Sequence, residues 1–305
     1  MDVTVDFEAT PTLALAVAVV ATSTSAILVR WSDAPSSVAA FYRVLFTTGL
    51  VAPLAVTRHR GAFAGLSRRD LVGAVLAGIA LAVHFAAWFA SLERTSVAAS
   101  VTLVQSQPVF VALGAGLFLG ERIGRGTVVG IAVTIAGATA MSLGSVGRNG
   151  LAGVTLRGNA LAVLGAITVA GYVLAGRSIR QRVPVLPYVT VVYGVCVVTL
   201  FLLVGVQGHS YVGYSPREWL LFLGLAVGPG IVGHTVSNWA LEHLESVVVS
   251  VAWLGEPVGA TLLALVLLSE VPDAITVIGG VVVIVGIAVT TLERESSRGV
   301  DVSRS

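Results

Sequence analysis

The sequence predicts an all-α integral membrane protein of ten transmembrane helices, arranged as two inverted five-helix repeats. Three observations carry this expectation. Of 305 residues, 56% are hydrophobic and only 11% charged, with a mean hydropathy of +0.93, whereas a soluble domain carries about 25% charged residues. A water-soluble fold of this length cannot hide so much apolar surface. The chain also divides into ten apolar runs of the length a bilayer demands, about 20 residues each. Finally, its two halves align without a gap when one is shifted by 149 positions.

The runs are 12–29, 36–56, 71–91, 97–119, 124–143, 157–175, 186–205, 217–239, 246–268 and 274–291. The first ends in VVATSTSA, which looks like a signal-peptidase site. The segment before it, MDVTVDFEATP, is acidic where a signal peptide carries positive charge. It is therefore read as a true span behind an N-terminal cytoplasmic segment, 1–11. The second run holds Arg43 in SVAAFYRVLFTTGL, the third His84 in HFAAWFASLER, and the fourth Gln107 and Pro108 in QSQPV. With the fifth run they make the first repeat, 12–143. The second repeat, 157–292, contains Cys196 in its apolar seventh run and His234, Asn238 and Trp239 in the eighth, HTVSNWALEHL. Its ninth run, VAWLGEPVGATLLALVLLSE, places Trp253, Glu256 and Pro257 together. A polar C-terminal tail, 293–305, follows. Short gaps of Gly, Pro, Arg and acids leave no room for a soluble module.

At the 149-residue shift, 91–121 falls on 240–270. Matched pairs include Glu93/Glu242, Pro108/Pro257, Glu121/Glu270, Gly130/Gly279 and Gly137/Gly286. Leu and Val match cheaply between apolar helices; Pro and Glu do not. Five spans per half is an odd number, so the halves enter the membrane with opposite orientation. Placing both termini in the cytoplasm puts twelve arginines on the inner side and five on the outer, the bias expected of a cytoplasmic face. The inner set includes Arg122, Arg125, Arg177, Arg180, Arg182, Arg294, Arg298 and Arg304, and the outer set Arg30, Arg94, Arg148, Arg157 and Arg217. Small-residue spacings such as Gly116/Gly120, Gly126/Gly130 and Gly255/Gly259 indicate tight helix packing.

Ionisable groups at membrane depth are costly and point to function. Fifteen of the sixteen acids fall in termini, loops or span ends, among them Glu121 and Glu270, which read as carboxylates fixing helix ends. Glu256 alone is central, about ten residues or ~15 Å into its span. Pro257 removes a backbone donor and frees the carbonyl of Trp253. Polar backbone at that depth is tolerated where it lines a cavity or is buried in protein. Gln107 and Pro108 occupy the equivalent positions in the first repeat, so two kinks meet near the pseudo-two-fold axis. Glu256 is then either a carboxyl of a central site or a protonated, hydrogen-bonded group of the bundle. Arg43 either snorkels to the interface or pairs with Glu256 or an anionic solute. His84 and His234 are proton carriers, solute donors or bundle glue. Asn238 and Trp253 join the candidate binding set, Trp253 being as suited to core packing as to a cavity wall.

The remaining composition excludes several classes. One cysteine permits no internal disulfide or cysteine metal cluster. The net charge of +2 is spread between apolar runs rather than gathered in a nucleic-acid-binding face. No GxxxxGK[ST] loop is present, so ATP does not drive this chain. Without GxSxG or HExxH, an intramembrane enzyme is disfavoured. The expected partners are a small solute, protons and the lipid bilayer, for a monomer or homodimer without cofactor or metal. The alternative is a channel or a structural membrane subunit.

The stretches AAFYRVLF, SQPVFVALGAGLFLGER, GEPVGATLLALVLLSE and GGVVVIVGIAV resemble the drug/metabolite transporter superfamily, in particular its EamA family. A proline followed thirteen residues later by glutamate, twice, is the most specific part of the likeness. The resemblance spans essentially the whole chain. It implies a ten-helix inverted-repeat carrier with a central cavity, exporting or exchanging small metabolites such as amino acids across the cytoplasmic membrane, often with proton coupling. The chain departs from symmetry in two places: Val192 stands opposite Arg43, and Gln107 opposite Glu256. One acid and one cation would suit a zwitterion, or a small anion with a proton.

Overall fold

The computed structural model describes residues 10–92, 94, 100, 103–144, 156–269, 271–272 and 274–302. All regular structure among them is helical. The helices are α1 (Pro11–Arg30), α2 (Ser36–Arg58), a short α3 (Arg60–Ala64), α4 (Arg68–Leu92), α5 (Gln107–Gly114) and α6 (Arg125–Gly144). Then come α7 (Leu156–Arg180), α8 (Val185–Val206), α9 (Pro216–Leu225), α10 (Val236–His243), α11 (Ser246–Ala252), α12 (Glu256–Leu268) and α13 (Ala274–Val302). Alpha-helix gives way to wider π turns at Ala115–Leu119 and Ala226–Thr235, and to a 3-10 turn at Trp253–Gly255. Starts are set by local chemistry. Pro11 and Pro216 occupy first-turn positions where a missing N–H costs nothing, while Thr10 and Ser215 accept the N–H groups of Leu13 and Glu218 at 3.4 Å.

Among the described residues, eight helical segments are long and apolar enough to cross a bilayer: Pro11–Val29, Ser36–Arg58, Arg68–Ser91, Leu156–Arg180, Val185–Val206, Pro216–His243, Ser246–Leu267 and Ala274–Glu293. Two shorter apolar helices, Gln107–Leu119 and Arg125–Ala140, occupy the fourth and fifth expected runs. The start of the fourth run, residues 1–9, Glu93, Arg148, Glu270 and Arg304 lie outside the described residues. Large apolar side chains such as Leu117, Phe118, Leu202 and Val266 are exposed on the protein's flanks, where a bilayer would cover them.

Helix ends differ from the sequence expectation in several places. The sixth run extends as helix to Arg180 and the eighth to His243. Arg177, Arg180, Glu242 and His243 are therefore helical rather than loop residues, because the backbone keeps its hydrogen bonding beyond the apolar stretch. Likewise α13 continues through Val302, over most of the polar tail.

Helices pack pairwise: α4 along α7, α2 along α8, α6 along α13, and α1 against the α9–α10 segment and α12. At the α6–α13 crossing the backbones nearly touch. A Cβ on Gly137 would lie 2.7 Å from the Gly279 carbonyl, and one on Gly286 2.9 Å from that of Gly130. Several elements begin 149 residues apart: α2 and α8 at Ser36 and Val185, α5 and α12 at Gln107 and Glu256, α6 and α13 at Arg125 and Ala274. Both α5–π and α12 end on a left-handed residue, Gly120 at φ 69° and Ser269 at φ 55°.

Candidate functional site

The ninth span is not one helix. α11 stops at Ala252, a 3-10 turn carries Trp253 to Gly255, and α12 restarts at Glu256 with Pro257 in its first turn. The Trp253 carbonyl, expected to be orphaned by Pro257, instead accepts the N–H of Glu256. The Glu256 carbonyl accepts the Ser23 hydroxyl at 3.1 Å, tying the break to α1. The Glu256 side chain is only half-buried, and its carboxylate makes no hydrogen bond or contact ion pair among the described residues.

A second break faces it. In the eighth span, AVGPGIVGHT forms a ten-residue π segment around Pro229. π geometry loosens carbonyls from the helix ladder and is frequent at functional sites. α2 takes up two of them: Thr47 donates to the Ala226 carbonyl at 3.1 Å, and Arg43 reaches the Pro229 carbonyl at 3.4 Å. Arg43 is 8% exposed, so it does not snorkel. Its guanidinium lies 5.3 Å over the Phe85 ring, with Ser25 at 3.4 Å. It forms no contact ion pair among the described residues.

His234 closes the cluster. Its ring lies 5.3 Å from Trp253, 6.2 Å from Tyr172 and 6.3 Å from Phe85. Its Nδ1 is buried with no hydrogen-bond partner among the described residues. Arg43, Thr47, Phe85, Tyr193, Gly230 and His234 line a narrow cavity of about 10 Å³, room for about one water. Trp253 donates its indole N–H to Ser237 at 3.0 Å. Asn238 donates to the Tyr172 hydroxyl and to the His234 carbonyl, and its own Oδ1 is left unpartnered.

The structure thus gathers Arg43, His234, Asn238 and Trp253, with Glu256 one turn beyond Trp253. His84 stands one ring away: it stacks on Trp88 at 5.9 Å, and its Nδ1 meets the Gly165 carbonyl at 3.0 Å, joining α4 to α7. Gln107 is apart from the cluster, buried at the start of α5 with Pro108 beside it and its Oε1 unpartnered.

One end of the bundle is cross-linked. Arg180, 2% exposed, donates to the carbonyls of Asn238 and Val183 and pairs with Glu242. Arg177 donates to the Leu241 carbonyl at 2.9 Å and faces Glu121 at 3.5 Å. Glu121 in turn accepts the Ser246 N–H at 3.0 Å, capping α11. Gln181 adds bonds to the carbonyls of Leu241 and Glu242, and Asp70 pairs with Arg182 at 2.5 Å.

A family profile, that of the EamA-like transporter family, matches residues 10–143 and, separately, 156–292. The chain belongs to the EamA-like transporter family. Like other EamA-like proteins it is a multi-pass membrane transporter. It is 28% identical over 258 residues to the pseudopaline exporter CntI of Pseudomonas aeruginosa, covering 83% of this chain and 86% of that protein. An uncharacterized transporter of Archaeoglobus fulgidus is 26% identical over 84% of this chain and 87% of its own length. The uncharacterized transporter YxxF of Bacillus subtilis is 24% identical over 77% and 74%. A solved crystal structure at 23% identity superposes with a TM-score of 0.78 over 94% of this chain and 98% of its own, a likeness of fold.

Sequence reasoning overlooked Phe85, Tyr172, Tyr193 and Ser237. Aromatics within apolar runs carry no local mark of a site. The one signal available for the eighth span was GPG, read above only as part of an apolar run.

Proposed function

We propose that this EamA-like protein is a secondary carrier that exports a small amino-acid-like metabolite across the cytoplasmic membrane by alternating access, with proton coupling. The observation that carries the reading is the meeting of two broken helices beside a guanidinium and a carboxyl that form no ion pair among the described residues. Buried charges of opposite sign normally pair in contact. Here Glu256 and Arg43 stay apart, with His234 Nδ1 unpartnered between aromatic walls, as a site built for an absent zwitterion would be. Arg43 takes the solute's carboxylate, Glu256 its ammonium group or a proton, and His234 and Asn238 supply further hydrogen bonds. Trp253 forms a wall, and the breaks at Pro257 and Pro108 supply hinges.

The frame is ten spans in two inverted repeats, 12–143 and 157–292, with both termini cytoplasmic. Support comes from element starts 149 residues apart, from the two left-handed helix ends, and from a family profile that matches each half on its own. The exporter among its relatives favours outward transport. Counterflow in proteoliposomes, with a panel of amino acids, small organic acids and nucleosides, tests the class. Saturable exchange of amino-acid-like solutes is expected. Flux without counterflow would indicate a channel, and no flux or solute binding from folded protein a structural subunit.

A further inference from the structure

VVATSTSA, the stretch that looks like a signal-peptidase site, lies without interruption inside α1. Its four consecutive hydroxyl residues, Thr22, Ser23, Thr24 and Ser25, are mediocre helix formers in an otherwise apolar span. In membranes such side chains act by bonding across helices. The two threonines turn back on α1: Thr22 donates to the Val19 carbonyl at 2.8 Å and Thr24 to the Ala21 carbonyl at 2.6 Å. The two serines reach outward. Ser23 shares its hydroxyl hydrogen between the Val19 carbonyl at 2.8 Å and the Glu256 carbonyl at 3.1 Å. Ser25 accepts from Arg43 Nη1 at 3.4 Å, the longer of the two cross-helix bonds. One turn of α1 therefore holds both charged members of the central cluster, the backbone of one and the side chain of the other.

The fit on both flanks is close. α1 packs against the π segment of the eighth span and against α12. A Cβ on Gly259 would lie 2.2 Å from the Ser23 hydroxyl oxygen, and one on Gly233 2.5 Å from Thr22 Cγ2. Each broken span thus offers α1 a glycine to lie on. Positions 23 and 25 point about 200° apart around a helix, so the two serines face opposite flanks of α1. Opposite charges at this depth gain by closing into contact, yet Arg43 and Glu256 form no ion pair among the described residues. The bonds from α1 supply a physical reason.

We infer that Ser23 and Ser25 are positioning residues of the central site: they hold the Glu256 break and the Arg43 guanidinium on either side of α1, so that the carboxyl and the cation do not close on one another. The serines act through Glu256 and Arg43 rather than on the solute. That the separated pair receives a solute rests on the carrier reading above; the separation itself does not.

Labelling of the purified full chain in neutral detergent with dicyclohexylcarbodiimide tests this, because it reads Glu256 whether or not the chain transports. The reagent is apolar and modifies a protonated carboxyl, whereas a carboxylate held by a guanidinium does not react. Peptide mass spectrometry locates the label, with Glu256→Gln as the blank. Wild type should label at Glu256. Ser23→Ala with Ser25→Ala should label about tenfold more slowly, the scale of one opposite charge brought into contact, and adding Arg43→Gln should restore the rate. Ser23→Thr with Ser25→Thr keeps both hydroxyls and should label as wild type does. Unchanged or faster labelling in the double alanine variant would mean that the serines only pack, and overturns the inference. So does a loss that Arg43→Gln fails to restore, or a wild type that labels only once Arg43 is replaced, since its carboxylate would already be paired. The expected pattern in protein that shows no exchange in proteoliposomes would keep the positioning role and remove the carrier reading.

Discussion

The two ends of the bundle are built differently. At the end formed by the C-termini of α7 and α10, side chains cross-link the elements: Arg180 to Asn238, Val183 and Glu242, Arg177 to Leu241 and Glu121, and Glu121 to the start of α11. At the opposite end, α2, α4 and α8 stand around a cavity of about 200 Å³. Ties exist there too, but they lie beside it: Glu218 accepts the Ser32 hydroxyl and the Asp33 N–H, and Tyr42 bonds the Tyr211 carbonyl. The difference teaches that one end of the bundle is tied across its helices by side-chain bonds, whereas the other encloses the larger cavity.

Breaking the closed end should cost most at Arg180. Arg180→Ala removes the buried donors of two carbonyls and should destabilise the protein by about 2–4 kcal/mol, read as a lower melting temperature in detergent. Glu242→Gln should cost less, because a glutamine oxygen at this 45% exposed side chain still accepts from Arg180 even though the counter-charge of the buried guanidinium is lost. Equal losses in the two variants would show that the ion pair, rather than the carbonyl bonds, holds this end. A smaller effect is expected of Glu121→Ala. It leaves the buried Ser246 N–H without an acceptor, costing about 1–3 kcal/mol, and removes the carboxylate beside Arg177, which keeps its bond to the Leu241 carbonyl. If Glu121→Ala is neutral in the same melt, its capping of α11 contributes nothing to closure.

Much of this was readable from residues alone. The long apolar helices among the described residues fall on runs that hydropathy marks, and the break before α12 falls where Glu256 stands beside Pro257. Glu121 read as a carboxylate fixing a helix end, and it caps one, although the end belongs to α11 rather than to its own span. Arg180 was not readable. It lies past the apolar run in RSIRQR, and nothing local says that its guanidinium turns inward to carbonyls 58 residues away. Nor was the depth at which Arg43 rests, since snorkelling and burial share one sequence; the π segment around Pro229, which offers it a carbonyl, decided between them. His84 and His234 look alike in sequence, yet a carbonyl from α7 meets Nδ1 of the first, while Nδ1 of the second has no hydrogen-bond partner among the described residues. The open cavity gathers residues from three helices far apart in the chain, a property of packing that no single stretch encodes.

The central claim is that Glu256 at the helix break carries solute or proton. Counterflow in proteoliposomes, with wild type and Glu256→Gln side by side and a lumenal pH dye present, tests it most directly. Solute exchange with proton movement in wild type, and loss of one or both in a correctly inserted Glu256→Gln, is the predicted result. Wild-type exchange rates and proton movement in that variant would contradict the account.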